Sequence, residues 1–295
     1  TGTQGKTRTR KISLMAQQQK LIIHGGAGSL EGNIEREEAI RQSLQSICEK
    51  TYAFLLRSSA NEAVIYGIKL LEDDPLFNAG TGSKIQNDGQ IRMSAAFMDG
   101  QKKSFSGVIN IQHVQHPILV AEKLQEYEHT VLSGDMSIQF ARESGFPEYD
   151  PLTQERFNEF QSKKTGTTGT VGVVALDLNG YISAGTSTGG VGGEIPGRVS
   201  DSPTVAGNYA NEFAGVSATG IGEHIVNSAV AAKIVTRVED GMTLESAVDK
   251  SIKEGQENDD HFGVICITST GDIVSSKTKD TVFYSFHDGS GIKTF

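Results

Sequence analysis

The sequence has 295 residues and a formal net charge of −9, from 27 Lys and Arg against 36 Asp and Glu. That length allows one or two domains with a self-sufficient core, and the acidic balance argues against a nucleic-acid partner, whose footprint is a basic patch. Two distant cysteines, Cys48 and Cys266, exclude a disulfide framework and the multi-cysteine zinc motifs. Glycine is over-used, at 34 residues, and fourteen of these fall between 165 and 222.

In chain order, residues 1–20 are polar and basic, with only Ile12 to Met15 as an apolar patch. They read as a disordered tail or tag with Met15 as the natural start, since a secretory signal needs about 7–15 apolar residues. No stretch approaches the ~18 apolar residues of a membrane helix, and there is no Asn-X-Ser/Thr sequon. These features point to the cytoplasm and away from a membrane. Leu21 to His24 is a short strand running into Gly25-Gly26-Ala27-Gly28. Ile40, Leu44, Ile47, Cys48 and Leu55 repeat at helical spacing, with Asn33 as cap. A second helix covers about 60–71 and stops before Pro75. Strands are predicted near 90–98 and 106–112, and helices near 117–126 and 134–144. His113 and His116 read as loop residues before the helix at Pro117.

Between Gly145 and Gly169 the composition turns polar and reads as an exposed, mobile linker. Thr170 to Asp177 is then rich in strand formers, and Asn179-Gly180 is a hairpin signal returning along Tyr181 to Thr188. Further strands fit 204–208 and 212–218, helices fit 220–238 and 242–256, and a second hairpin joins 264–267 to 273–276. Strands and helices occur in separate runs, which favours antiparallel sheets covered by helices.

Four places could carry chemistry. At Gly169-Thr170 a polar segment meets a strand that begins with a hydroxyl. Ordinarily this is a loop ending in a good strand former. If the bond were cut, Thr170 would become an N-terminal nucleophile whose own amine, with a pKa of about 7.7–8.0, serves as base. Thr186 and Thr188 share one strand face before Gly189 and Gly190, and the run matches neither a phosphate loop nor a dinucleotide fingerprint. Arg198 and Asp201 lie in a Pro-Gly-bracketed loop. They make either a surface ion pair or a clamp for the carboxylate and ammonium of an amino acid. Thr219 and Gly220 open a predicted helix, as a cap or as an oxyanion hole built from a hydroxyl and a backbone N–H.

Taken together and in this order, the motifs resemble those of the plant-type L-asparaginase and isoaspartyl peptidase family of N-terminal-nucleophile hydrolases. The matching stretches are His24-Gly25-Gly26-Ala27-Gly28, Leu71 through Gly80, Met98-Asp99-Gly100, Gly169-Thr170-Val171-Gly172, Thr186 through Gly190, Pro196 through Pro203, and Thr219 through Glu223. They span about residues 20–290. Gly166-Thr167 is a decoy junction, and Thr170 is preferred because the strand starts there.

The resemblance implies an α+β fold, the four-layer αββα sandwich, built as one domain from an alpha subunit, 21–169, and a beta subunit, 170–295. It implies self-cleavage at Gly169–Thr170 and hydrolysis of L-asparagine, of β-aspartyl dipeptides, or of both. Thr170 would be nucleophile and base, Thr188 would tune it, and Thr219 and Gly220 would form the oxyanion hole. Arg198 would hold the substrate carboxylate, and Asp201 with Gly222 its ammonium. No cofactor is required. A structural sodium would sit on the carbonyls of Leu71, Glu72, Asp74, Phe77, Ala79 and Thr81, and two αβ units would pair. Ser94 stands where many relatives carry an acid, and Gly192-Gly193-Glu194 departs from their more basic or polar pattern. The alternatives are a glycosylasparaginase-like enzyme, a threonine-type processing protease, and an uncleaved homologue that only binds.

Overall fold

Alternation along the strands divides their side chains between two cores. In β1 (Lys20–Ala27) and β5 (Val171–Leu176), the residues Leu21, Ile23, Val171, Val173 and Ala175 join one hydrophobic cluster. Their neighbours Ile22, Val174 and Leu176 join another. Period-2 geometry sends successive side chains to opposite faces, so this sheet is buried on both sides. The computed structural model describes residues 18–28, 33–162, 169–279 and 281–295.

The larger sheet has eight strands in the order β12-β11-β1-β5-β6-β2-β3-β4. It adds β2 (Met93–Asp99), β3 (Ser104–Ile111), β4 (Val131–Ser133), β6 (Ile182–Thr188), β11 (Val282–His287) and β12 (Ile292–Thr294). Its pairs are antiparallel except β3 with β4, where Gly107 lies beside Val131 in a parallel ladder. The smaller sheet has the order β10-β9-β8-β7. Its strands are β7 (Asn208–Ala210), β8 (Ala214–Gly220), β9 (Phe262–Thr268) and β10 (Ile273–Lys277). Helices α1 (Ile34–Leu55), α2 (Ala60–Asp73) and α3 (Pro117–Lys123) pack on the larger sheet. A short α4 (Gly134–Glu143) and α5 (Gln154–Gln161) follow. Helices α6 (Gly222–Ser228), α7 (Val230–Glu239) and α8 (Leu244–Glu257) pack on the smaller one. The architecture is a mixed one of mainly antiparallel sheets covered by helices.

Local chemistry explains most boundaries. Asn33 accepts the Arg36 N–H at the start of α1. Ser59 and Glu62 form a reciprocal capping box on α2. Gly180 turns the β5–β6 hairpin at φ 82°, and the Asp177 carboxylate accepts the N–H groups of Asn179 and Tyr181.

Several expectations need correction. The stretch read as an exposed linker contains α5, capped by Thr153. That helix docks through a buried arginine: Arg156 Nε donates to the Gly82 carbonyl at 2.6 Å, and Nη1 pairs with Glu159 at 2.8 Å. Glu155 of the same helix also pairs with Arg36 of α1, and docking by such polar contacts leaves no hydrophobic period to read. The single helix expected over 220–238 is broken at Ala229, which sits at φ 47°. Thr204 lies in a turn closed by its N–H on the Asp201 carbonyl, so that strand starts only at Asn208. Thr219 and Gly220 belong to β8, opposite Gly263 and Phe262, and Ile221 is the residue before α6. Thr219 is therefore not a helix cap. Strands β11 and β12 form where no element is expected. Residues 18–20 are placed, with Gln19 donating to the Leu55 carbonyl and Lys20 in β1. The rest of the expected tail, and the Gly166-Thr167 junction, lie outside the described residues.

Candidate active site

The site forms where the inward faces of β1, β5, β6 and β8 turn polar. Gly172 of β5 lies between His24 of β1 and Thr186 of β6. A Cβ on Gly172 would collide with His24 Nε2 and Ser217 Oγ, so only glycine fits between them. Ser217 reaches across from β8. Its hydroxyl is 2.8 Å from His24 Nε2 and 2.9 Å from Thr186 Oγ1. Burial drives the His24 ring down to about 3, with the Thr170 backbone pulling weakly the other way. The imidazole is therefore neutral at physiological pH and works as a hydrogen-bonding spacer.

Val171 lies opposite Ser187, and one further step of that register puts Thr170 opposite Thr188. Thr188 lies opposite Ser94 in β2. Thr170 is buried, and its Oγ1 is 3.4 Å from Ser202 Oγ. The preceding residue, Gly169, rests against Gly26. A Cβ on Gly26 would lie 3.0 Å from both the nitrogen and the oxygen of Gly169. A Cβ on Gly169 itself would lie 3.6 Å from Thr219 Oγ1. That Thr219 hydroxyl is fully buried and has no hydrogen-bond partner. A buried orphan hydroxyl costs roughly 1–3 kcal/mol, and native structures keep few of them. Here it lies beside the Cα of Gly169.

Arg198, Asp201 and Gly222 meet in a second cluster. A Cβ on Gly222 would come within 2.8 Å of Arg198 Nη2 and 3.0 Å of Asp201 Oδ1. Arg198 pairs with the more exposed Glu223 through Nε and Nη2, both at 2.8 Å. A bidentate pair fixes the guanidinium plane and leaves Nη1 for another acceptor. Asp201 is 2 % exposed with Oδ2 unpartnered. Burial pushes its carboxyl up to about 7, opposed by a backbone hydrogen bond and by Arg198. The chain joins the two clusters directly, because Ser202 follows Asp201.

Asn110 links Ser94 to the clamp. Its N–H donates to Ser94 Oγ at 3.1 Å, and its Nδ2 donates to the Arg198 carbonyl at 3.2 Å. Glu194 bends back, accepting the Val191 N–H at 3.2 Å. The loop from Leu71 to Thr81 closes on itself through Thr81 N–H to the Glu72 carbonyl at 2.8 Å and Phe77 N–H to the Asp74 carbonyl at 3.1 Å. Leu71 and Ala79 are fully buried there. Among the described residues, no cluster of three His, Cys, Asp or Glu side chains suits a metal ion.

The structure thus places Thr219 beside Gly169 and Thr188 one register step across from Thr170, and brings Arg198, Asp201 and Gly222 together at one point. Sequence reasoning gave no role to the His24 ring, Ser202, Ser217 or Glu223.

Known proteins bear on this arrangement. A family model described as asparaginase matches residues 17–168 and 161–295. The chain is 47% identical to an isoaspartyl peptidase/L-asparaginase of Nostoc sp., with 93% of each chain covered. It is 38% identical to a plant-type L-asparaginase of Pyrococcus abyssi, over 90% of this chain and 95% of that one. An isoaspartyl peptidase/L-asparaginase of Homo sapiens is 35% identical, over 89% of this chain and 91% of the relative.

Proposed function

The chain belongs to the asparaginase family, and we propose that it is a self-cleaving amidohydrolase acting on L-asparagine and β-aspartyl dipeptides through Thr170. The relatives' names support the substrates. One observation supports the residue assignment: the Gly169 backbone lies close to Gly26 and to the unpartnered hydroxyl of Thr219, and the buried Thr170 hydroxyl follows it in the chain.

In the first stage Thr170 Oγ1 attacks the Gly169 carbonyl. The acyl group moves from nitrogen to oxygen, and water hydrolyses the ester. In the second stage the freed Thr170 amine, with a pKa near 7.7–8.0, takes the hydroxyl proton as Oγ1 attacks the substrate's side-chain carbonyl. Thr188 tunes the nucleophile from the neighbouring strand. Thr219 and Gly220 donate to the developing oxyanion, a service for which an unpartnered buried hydroxyl is already desolvated. Arg198 holds the α-carboxylate. Asp201 and Gly222 hold the α-ammonium, and the cation pulls the Asp201 carboxyl, raised by burial, back to its ionised form. Ammonia or an amine leaves, and water releases aspartate.

The remaining assignments are proposals of the same reading. The two sheets face each other across Ile22, Val174, Leu176, Ile265 and Ile267, which supports a four-layer αββα sandwich assembled from 21–169 and 170–295. In this reading the loop carbonyls of Leu71, Glu72, Asp74, Phe77, Ala79 and Thr81 would hold a sodium ion. A Cβ at Gly82 would fall 2.7 Å from the Pro75 carbonyl and 2.9 Å from that of Phe77, so the loop turns carbonyls toward its glycines. Such an ion would brace the end of α2 and supply no chemistry to the reaction. No helix among the described residues is long and apolar enough to cross a membrane, which is compatible with a cytoplasmic enzyme, and pairing of two αβ units completes the proposal.

The test is a direct assay with L-asparagine, β-aspartyl-leucine and a glycosylated asparagine. Ammonia or leucine release is expected from the first two. Turnover of the glycosylated substrate alone, or of none, would contradict the reading.

A further inference from the structure

Self-cleavage poses a problem that the mature reaction does not. Before the cut, the Thr170 nitrogen is an amide and has no basic lone pair, so the base of the second stage does not yet exist. Some other group must receive the hydroxyl proton. His24 is neutral; its Nε2 is engaged with Ser217 and its buried Nδ1 has no hydrogen-bond partner, so neither ring nitrogen is hydrogen-bonded to Thr170 Oγ1. Among the described residues, the side chain within hydrogen-bond distance of Thr170 Oγ1 is Ser202, at 3.4 Å.

Ser202 is fully buried and firmly placed. Its carbonyl accepts Asn208 Nδ2 at 3.3 Å. The turn that carries it is closed by Thr204 N–H on the Asp201 carbonyl at 2.9 Å and by Gly207 N–H on the Thr204 carbonyl at 3.1 Å. It is then tied to β8 by Ala218 N–H on the Gly207 carbonyl at 2.8 Å. The hydroxyl pair is longer than the usual ~2.7–2.8 Å for O–H···O, and the transfer requires it to shorten as the reaction begins.

We propose that Ser202 is the proton shuttle of self-cleavage, a role that rests on Thr170 being the nucleophile. The relay is concerted, because a serine hydroxyl is too weak a base to hold a second proton: as the bond from Thr170 Oγ1 to the Gly169 carbonyl carbon forms, the Oγ1 proton moves onto Ser202 Oγ only as the Ser202 proton moves off it. As the bond from that carbon to the Thr170 nitrogen breaks, Ser202 gives its own proton to the departing nitrogen. An amide becomes an ester and an amine, and Ser202 ends with the proton count it began with. No co-reactant is consumed until water hydrolyses the ester. Once the Thr170 amine is free, the shuttle is superseded by a better base.

The experiment follows freshly translated full-length chain over time on denaturing gels. Wild type, Ser202→Ala, Ser202→Thr and Ser202→Val are compared. Thr and Val have nearly the same shape and differ in the hydroxyl. General acid–base groups contribute about 10²–10⁴-fold, so Ser202→Ala should cleave at least tenfold more slowly, and Ser202→Thr at least tenfold faster than Ser202→Val. Melting of Thr170→Ala with and without Ser202→Ala controls for folding in chains that cannot cut themselves. Cleavage of Ser202→Ala within tenfold of wild type, or equal behaviour of the Thr and Val variants, overturns the shuttle. If wild type itself never splits at Thr170, it is the nucleophile assignment that fails instead.

Discussion

The inward face of the larger sheet has two ends made of the same strands. At one end Ile22, Val174, Leu176, Ile182 and Ala184 meet Ile265 and Ile267 of the opposite sheet in a dry contact. At the other end, two to four residues along the same strands, stand His24, Thr170, Gly172, Thr186 and Thr188, with Ser217 and Thr219 facing them. Both ends are buried. The first is stabilised by apolar area, each fully buried Ile or Leu being worth roughly 1.5–3 kcal/mol. The second forgoes that gain and carries an unpartnered hydroxyl. Polar packing that a simple hydrophobic exchange would improve marks the end used for chemistry.

Substitutions at the two ends should therefore separate folding from processing. The largest effect is expected for Gly172→Ala. The added methyl enters the space of His24 Nε2 and Ser217 Oγ, shifts the strand that begins at Thr170, and should cut the cleaved fraction at least 100-fold on a denaturing gel. Arg198→Ala should still cleave, because Arg198 belongs to the clamp. Its kcat/KM for asparagine should fall by roughly 10²-fold, as expected for losing a buried charge partner worth about 2–5 kcal/mol. If turnover survives with unchanged KM, the clamp assignment is wrong.

At the dry end, Val174→Ala removes buried methyl groups and should cost roughly 1–3 kcal/mol in denaturant unfolding, with cleavage and kcat unaltered. A loss of kcat beyond the loss of stability would blur the distinction between the two ends.

No effect on processing is expected on the face turned toward the helices, where the readout is stability against pH. Glu72 is buried there, accepting the Ser187 hydroxyl at 2.6 Å and the Ile118 N–H at 3.1 Å. Burial pushes its carboxyl up from 4.5 to about 8. The folded chain keeps a proton that the unfolded chain gives up, so this group's contribution falls as pH rises from 4.5 to 8 and is fully lost above that. Glu72→Gln mimics the protonated form. Its melting temperature relative to wild type should rise between pH 5 and pH 9, and a flat difference would show that the carboxyl is already ionised in the fold.

How much of this was readable in the sequence depends on whether a residue acts along the chain or across it. The α1 start was legible because Asn33 caps its own helix. The Asn179-Gly180 hairpin was legible for the same local reason. Arg198, Asp201 and Gly222 could be placed together only through motif resemblance, since Gly222 meets the other two through loop geometry that spacing does not encode. Ser202 and Ser217 were silent because their partners, Thr170, His24 and Thr186, are distant in sequence and come from other strands. The same holds for α5, whose docking rests on Arg156 and a distant carbonyl. Thr219 was open to two readings, a helix cap or an oxyanion-hole hydroxyl, because threonine before a glycine-bracketed helix suits both, and its pairing with Gly263 in the sheet removes the first.

The central claim is that Thr170 becomes a chain end, and intact mass under denaturing conditions tests it most directly. Wild type should yield two polypeptides that divide the 295 residues after residue 169, the second 126 residues long, with Thr170 as its first residue. Thr170→Ala should remain a single chain. A wild-type protein that hydrolyses asparagine as one uncut chain, or a new N-terminus at Thr167 in place of Thr170, would contradict the account.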